Sequence, residues 1–532
     1  MSKAQKNFLS GALILTVANF IVKIIGAIYK IPLANFIEPT GMNYYNDAYQ
    51  IYSMLYVLST AGIPTAIAKI VSEANAQNRL TEPKRVLKLS TIIFAGIGIV
   101  LSALMMIFVE PISAALSNDT TNYCITMIAP AILLVSVSAV IKGYFQGYKC
   151  MTHSASFLIV EALFKLAGLG LVVFLRFGQG ITDPLALACG GVLGVTFGAF
   201  AGTIFMLIRL IRERDLGKNT DGSLPAHRSG TLIKTIITLA IPISLSSSVM
   251  SVAATLDMIL VKRNLLVYGL DAEAVKEVYG AYAGATGSLF NLPQALTVNI
   301  GIAVLPFLTS ALASGHKEDA FKNIRSSAKL VALLAMPFSF GMCFLSEPIV
   351  KFLYNESYWE VGIPTLTVLA LSEFFVSFVS LSNSYLHSVG KVKTALFSMG
   401  IGAAMKVIVN ILAVQNIGIM GAPIGTFACY GSITLLNLIF IKKYIGFTFP
   451  AVETFLKPLL CSLITCGAAF GAWWLLDRFT QSTVLSLFPA LVVALIMYLL
   501  CIRLFKLLNK EDLEFLPGKI GKLLLKSGWL HE

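Results

Sequence analysis

The sequence predicts an all-α polytopic membrane protein with about fourteen transmembrane helices. They form two six-helix lobes in parallel repeat, plus two extra C-terminal helices. Three observations predict this. Apolar residues make up 57% of the chain and charged residues 13%, against roughly 45–50% and about 25% in soluble domains. Mainly apolar runs of roughly 20 residues, enough to cross a bilayer, recur from end to end. Lysine and arginine gather on alternate connections, as the positive-inside rule requires.

The spans lie near 9–36, 46–72, 86–109, 122–145, 154–176, 182–208, 235–261, 279–312, 326–346, 362–388, 393–415, 419–441, 454–475 and 482–505. The stretch from Leu9 to Ile37 is too long for a signal-peptide core and lacks a small-residue cleavage site, so it reads as a first span. With the N-terminus placed in the cytoplasm, the cytoplasmic side collects Lys3, Lys6, Arg79, Arg85, Lys142, Arg212, Lys322, Lys442, Lys443 and many others. The outer side holds only Arg176, Lys262, Arg263, Lys276, Lys351 and Arg478. The bias is roughly five to one, and a missed span would destroy it. The +13 net charge is therefore a membrane signature and not a nucleic-acid footprint.

The longest cytoplasmic connection, about 209–234, is polar with Gly and Pro, a linker composition. It separates two halves that repeat. Glu110-Pro111-Ile112 recurs as Glu347-Pro348-Ile349, each closing the third span of its half. Gly143-Tyr144-Phe145-Gln146 meets Ser384-Tyr385-Leu386-His387, and at that offset Lys165 meets Lys406. Parallel repeats are a known transporter plan. The expected organisation is an N-lobe over 1–211, a linker over 212–234, a C-lobe over 235–441, two added spans over 442–507 and an amphipathic cytoplasmic tail over 508–532. Trp473, Trp474 and Tyr498 of the added spans read as interfacial anchors or lipid-facing residues.

Several chemistries are excluded. The eight cysteines are scattered without a C-x-x-C pair and read as small buried hydrophobes. The sequence has no H-E-x-x-H, no Walker loop and no G-x-S-x-G in a suitable context. No catalytic residue, metal site or cofactor is expected.

Charge inside apolar runs is the remaining pointer, because an ionised side chain at mid-bilayer costs roughly 2.5–3.5 kcal/mol. Lys23 and Lys30 stand in the first span about two turns apart, on one side of the helix. They suggest a cavity that takes an anion. The bland alternative is that Lys30 snorkels and Lys23 neutralises a buried carboxylate. Lys69 stands near the end of the second span. Glu161 precedes Lys165 by four residues, the better order for an intrahelical pair, and the two read equally as a structural pair or as cavity lining. Lys406 and Asn410 share a face of the eleventh span. Asp257, alone in the core of the seventh, reads as a cation or proton ligand or as the partner of Lys406. Asn46 and Asp47 open the second span, where helix capping explains them as well as function does. Gly62-Ile63-Pro64, Ile241-Pro242 and Asn291-Leu292-Pro293 interrupt spans, which is tolerated where freed backbone lines a cavity or is re-bonded.

The stretch TAGIPTAIAKIVSEA from Thr60, the motif KGYFQGY from Lys142 with Thr152 after it, and the fourteen-span plan together carry a resemblance. The chain resembles the multidrug/oligosaccharidyl-lipid/polysaccharide (MOP) exporter superfamily. Within it, the chain looks like the SpoVB/YtgP branch of polysaccharide biosynthesis proteins, neighbours of the MurJ lipid II flippases. The resemblance covers essentially the whole chain. Lys23 with Gly26 matches the basic-x-x-Gly pattern of the first MurJ helix, and Lys30 corresponds only loosely to the second basic residue. The MurJ arginines of the second and eighth spans are missing, since Tyr56-Val57 and Ser288 stand in those regions.

The resemblance implies a flippase that moves an undecaprenyl-diphosphate-linked saccharide from the cytoplasmic to the outer leaflet, with the peptidoglycan precursor lipid II as the favoured cargo. Another lipid-linked polysaccharide or a spore-cortex precursor is the alternative. Lys23, Lys30, Lys69 and Lys165 would hold the diphosphate, with Glu161 beside them, and the two added spans would groove the prenyl tail. Related flippases hold sodium between their seventh and eleventh spans, which implies an ion or ion-pair site at Asp257, Lys406 and Asn410. The lobes would rock under membrane potential or a proton or sodium gradient. The expected location is the bacterial plasma membrane, multi-pass, with both termini cytoplasmic. The expected partners are the lipid-linked saccharide diphosphate, membrane lipids and cell-wall synthesis proteins. Two rivals are a MATE-like cation-coupled drug antiporter, which wants a carboxylate-rich cavity, and a membrane enzyme, which wants a large outer loop.

Overall fold

A computed structural model describes residues 3–213, 227–290 and 293–507. Among them, all regular structure is helical. The helices of the first half are α1 (Lys3–Thr60), α2 (Ile63–Ala76), α3 (Glu82–Ile107), α4 (Val109–Ala115), α5 (Asn122–Ile128), α6 (Pro130–Gly147), α7 (Met151–Val173) and α8 (Pro184–Arg212). Then follow α9 (Ser229–Tyr268), α10 (Ala272–Phe290), α11 (Gln294–Ala313), α12 (Lys317–Phe344), α13 (Ser346–Leu353), α14 (Trp359–Ser388), α15 (Val392–Ile417) and α16 (Gly421–Ile445). The added pair is α17 (Lys457–Thr480) and α18 (Thr483–Leu504).

Among the described residues, eleven stretches are long and apolar enough to cross a membrane. Two of them, Val17–Ala76 and Val392–Ile445, each hold two of the expected spans. Helices α10 and α11 together occupy the eighth. The described chain is thus all-helical, and the protein is a multi-pass membrane protein. The middle of the linker and the expected amphipathic tail lie outside the described residues.

Helix α1 is two helices joined at Glu38, whose φ of 63° and ψ of 174° are not helical. Pro39 is the cause, because proline disfavours the helical region for the residue before it. The chain folds back there. Sixteen residues of straight helix would separate Tyr29 from Tyr45 by about 24 Å, yet their ring centres are 6.2 Å apart. Arg176 holds the bend, donating to the Phe36 carbonyl and reaching the Glu38 carboxylate at 3.0 Å. The second helix therefore starts near Pro39. Asp47 lies two turns inside it and is no cap, which corrects the capping expectation.

Contacts group the chain into two compact units. The first runs through Arg263 and adds Asp271–Gly284; the second takes Asn264–Leu270 and the chain from Ala285 onward. Most of α9 therefore packs with the first unit, although the sequence repeat counts it as the opening span of the second half. Its attachment is close. A Cβ on Gly62 would lie 2.2 Å from the Ala240 carbonyl oxygen, and the Gly62 amide donates to Ser244 Oγ at 3.1 Å. Leu232, Ile236 and Ala240 complete the core that Ile67, Val71, Val140 and Phe145 begin.

The repeat is visible inside each unit. Glu110-Pro111-Ile112 lies in short helix α4 after α3, and Glu347-Pro348-Ile349 lies in short helix α13 after α12. Tyr144 and Tyr385 are both buried. Helices α17 and α18 pack on each other and on the second unit. Trp473 is buried with Leu345, Ala469 and Ala490, and the Tyr498 hydroxyl donates to the Leu333 carbonyl. These two residues point inward and do not serve as lipid-facing anchors. Trp474 alone is exposed, under the Arg478 guanidinium. The cysteines are thiols outside any disulfide, and six of the eight are buried.

Candidate functional site

The two stretches that carry the sequence resemblance meet each other. Gly143 and Gly147 of KGYFQGY stand one turn apart on α6. Cβ atoms there would lie 2.8 Å from Pro64 Cα and 2.6 Å from Val71 side-chain carbons. Only glycine lets α6 and α2 approach so closely. This contact fixes the adjacent Lys142, whose ammonium sits 4.2 Å above the centre of the Phe157 ring. The sequence count placed Lys142 with the loop lysines. It is in fact inside α6 and only 9% exposed.

Helix α7 is held by a second glycine contact. Cβ atoms on Gly194 and Gly198 would each lie 2.6 Å from a carbonyl oxygen of α7, those of Lys165 and Glu161 respectively. The two charged residues are thus seated by backbone-to-backbone packing, as small residues allow in membrane helices. From there the Lys165 ammonium reaches the rings of Tyr49 at 4.8 Å and Tyr29 at 4.9 Å. Tyr29 donates its hydroxyl to the Gly191 carbonyl at 2.6 Å, which locks α1 to α8 beneath the lysine.

A run of tyrosines continues along the second part of α1. Tyr45 and Tyr49 stack at 5.8 Å, and Tyr52 and Tyr56 follow at 6.0 and 5.8 Å from ring to ring. Tyr49 and Tyr56 are half-buried, and Tyr45 and Tyr52 are buried. Glu161 is an electrostatic neighbour of Lys142, Lys165, Tyr52 and Tyr56. Lys30 is a neighbour of Lys165. Three lysines and one carboxylate therefore converge inside the first unit. Among the described residues, none of these lysines makes an ion pair. An ammonium over an aromatic ring gains only about 0.5–2 kcal/mol, less than a carboxylate partner would supply.

The other expected residues lie apart. Lys23 is exposed on α1, two turns before Lys30, with no ion pair among the described residues. Lys69 lies on the exposed face of α2 and pairs with Glu73 at 3.8 Å, a surface contact between neighbours on one helix. Asp257 is half-buried on α9 in the first unit, near Tyr279. Lys406 is half-buried and Asn410 buried on α15 in the second unit. Asn410 packs against Gly425, where a Cβ would meet its amide oxygen at 1.7 Å.

A second polar centre was not expected. Asp47, fully buried, accepts from Asn118 Nδ2 at 3.0 Å and from Asn43 Nδ2 and Thr121 Oγ1 at 3.4 Å. Its other oxygen takes the ammonium of Lys262. Lys262 is 1% exposed and also faces the Tyr279 ring at 4.9 Å. It was counted as an outer-loop lysine, but α9 runs on to Tyr268. The centre fastens α9 to the first unit.

The protein family described as "Polysaccharide biosynthesis protein" matches residues 8–312, more than half the chain. The chain belongs to this family. The MatE family also matches, over residues 242–412. Stage V sporulation protein B of Bacillus subtilis (strain 168) is 22% identical over 98% of this chain and 100% of its own length. Lipid II flippase MurJ of the same organism is 23% identical over 97% of this chain and 99% of its own. Among solved structures, Lipid II flippase MurJ in an inward closed conformation superposes with a TM-score of 0.69 at 18% identity, over 93% of this chain and 98% of that one. The protein is a MOP-superfamily member with the fold of these transporters.

Proposed function

We propose that the protein flips a saccharide carried on undecaprenyl diphosphate from the cytoplasmic to the outer leaflet of a bacterial plasma membrane, by alternating access. Lipid II is the favoured cargo. One observation carries the reading: Lys30, Lys142 and Lys165 converge with Glu161 inside the first unit, and none is neutralised by an ion pair. A diphosphate diester bears two negative charges, which balances three lysines and one carboxylate. A cation antiporter needs the opposite polarity. The positive-inside bias favours cytoplasmic termini, and the groove for the prenyl tail is assigned to α17 and α18. Driving force would come from membrane potential, protons or sodium, and cell-wall synthesis proteins would be partners.

The test is growth of a strain depleted of its own lipid II flippases and supplied with this gene. Rescue, together with its loss in Lys165→Met at normal protein level, is the expected outcome. No rescue by a correctly inserted protein would remove lipid II as the cargo. Rescue that survives Lys165→Met would remove the site.

A further inference from the structure

Lys142 is a buried cation without a matching acceptor. It is 9% exposed. Among the described residues its ammonium makes no hydrogen bond or ion pair, only the contact with the Phe157 ring at 4.2 Å. Lys165 lies over the rings of Tyr49 and Tyr29 and also donates to the Tyr45 hydroxyl, so it too is held by tyrosines. Between them stands Glu161, four residues after Phe157 and four before Lys165 on α7. Both lysines act on its carboxylate, yet neither comes within ion-pairing distance of it. A carboxylate thus acts on two ammonium groups that are held by an aromatic ring in one case and by tyrosine rings and a hydroxyl in the other, not by it.

We propose that Lys142 is a direct ligand of the substrate's diphosphate, facing Lys165 across it, and that Glu161 occupies the diphosphate's place when the site is empty. This rests on the function proposed above and assigns the residues that read the second phosphate. Three arguments support it. Lys142 is 9% exposed on a helix seated tightly against α2 through Gly143 and Gly147, and a buried charge is ordinarily paired. A ring is a weak holder of an ammonium, and a phosphate oxygen outcompetes it through a charge-assisted hydrogen bond. With Lys30 beside Lys165 the site holds three lysines, and Glu161 lowers the net charge to two, which matches a diphosphate diester and overmatches a monophosphate diester. It also supplies the competing anion that lets product leave.

The experiment titrates the full-length protein in lipid nanodiscs with two probes. They are farnesyl diphosphate N-acetylglucosamine and its one-phosphate counterpart, farnesyl phosphate N-acetylglucosamine. The unaltered protein should bind the diphosphate about tenfold more tightly or better, the scale of one added charge-assisted hydrogen bond. In Lys142→Met the diphosphate should lose about tenfold, the monophosphate less, and the preference should collapse. Lys142→Arg should restore it. Glu161→Gln should tighten both probes severalfold, because a competing anion is gone. Lys142→Gln carries the same comparison should Lys142→Met fail to insert. An inserted Lys142 variant that keeps the full preference would overturn the proposal. So would Glu161→Gln weakening both probes as Lys142→Met does, the mark of a purely structural pair. If the unaltered protein binds neither probe, the proposed function falls with it. If Lys165→Met abolishes binding while Lys142→Met keeps the preference, only the role of Lys142 falls.

Discussion

Breaking the buried centre at Asp47 should cost more from one side than from the other. In Lys262→Met, the Asp47 carboxylate loses its counter-charge but keeps three donors, Asn118 at 3.0 Å and Asn43 and Thr121 at 3.4 Å. In Asp47→Asn, one oxygen becomes an amide nitrogen that faces donors, and the Lys262 ammonium is left with the Tyr279 ring. Removing one partner of a buried pair costs about 3–5 kcal/mol. The surviving donors place Lys262→Met near the lower end, about 3 kcal/mol. The ring returns less than a carboxylate, so Asp47→Asn belongs near about 4 kcal/mol. The double variant buries no charge and should cost about 2–3 kcal/mol, well under the sum. Thermal midpoints of the purified protein in one detergent would rank the three variants. Additive losses, a double variant worse than either single, or Lys262→Met worse than Asp47→Asn would refute the reasoning.

Gly198→Leu places a side chain where even a Cβ would lie 2.6 Å from the Glu161 carbonyl. It should destabilise by about 1–3 kcal/mol or more and abolish rescue, whereas Gly170→Ala, with open space at its Cβ, should be silent in both assays. Lys23→Glu is expected to stop flipping at normal protein level, with Lys23→Arg partly active; full activity of Lys23→Glu would exclude the residue from the substrate path. Replacing residues 216–226 by an equal length of Gly and Ser should leave transport nearly intact, and loss of transport with normal insertion would mark the linker as a binding segment.

The fold was readable because bilayer-length apolar runs and lysine asymmetry are coarse signals that survive errors of a few residues. Glu161 and Lys165 were conspicuous for the same reason: charge in an apolar run stands out. What surrounds them did not. Tyr45, Tyr49, Tyr52 and Tyr56 follow at steps of four, three and four, the spacing of one helix face, but tyrosine is at home in any membrane helix and gives no contrast. Lys142 closes its span and reads as one more positive-inside lysine; only the packing of α6 shows that it is buried against Phe157. Asp47 was misread because the turn at Glu38–Pro39 was placed too late. A shift of about two turns moves a buried acid to a helix end. Lys262 was lost likewise, since α9 extends about two turns beyond the expected end of its span.

The fastening of α9 also says where this chain can be divided. A polypeptide cut in the linker would yield a front fragment lacking Leu232, Ile236 and Ala240, which close its own core, and lacking the counter-ion of Asp47. Such a front fragment would present a bare apolar seam and an uncompensated acid to the translocation and quality-control machinery. A cut just after Gly284 keeps both with the front piece, at the expense of splitting the eighth span within α10. For split reporters or two-plasmid reassembly, the obvious polar loop is therefore the wrong place to separate the halves unless the rear fragment is made at the same time, so that its leading helix can be captured during synthesis.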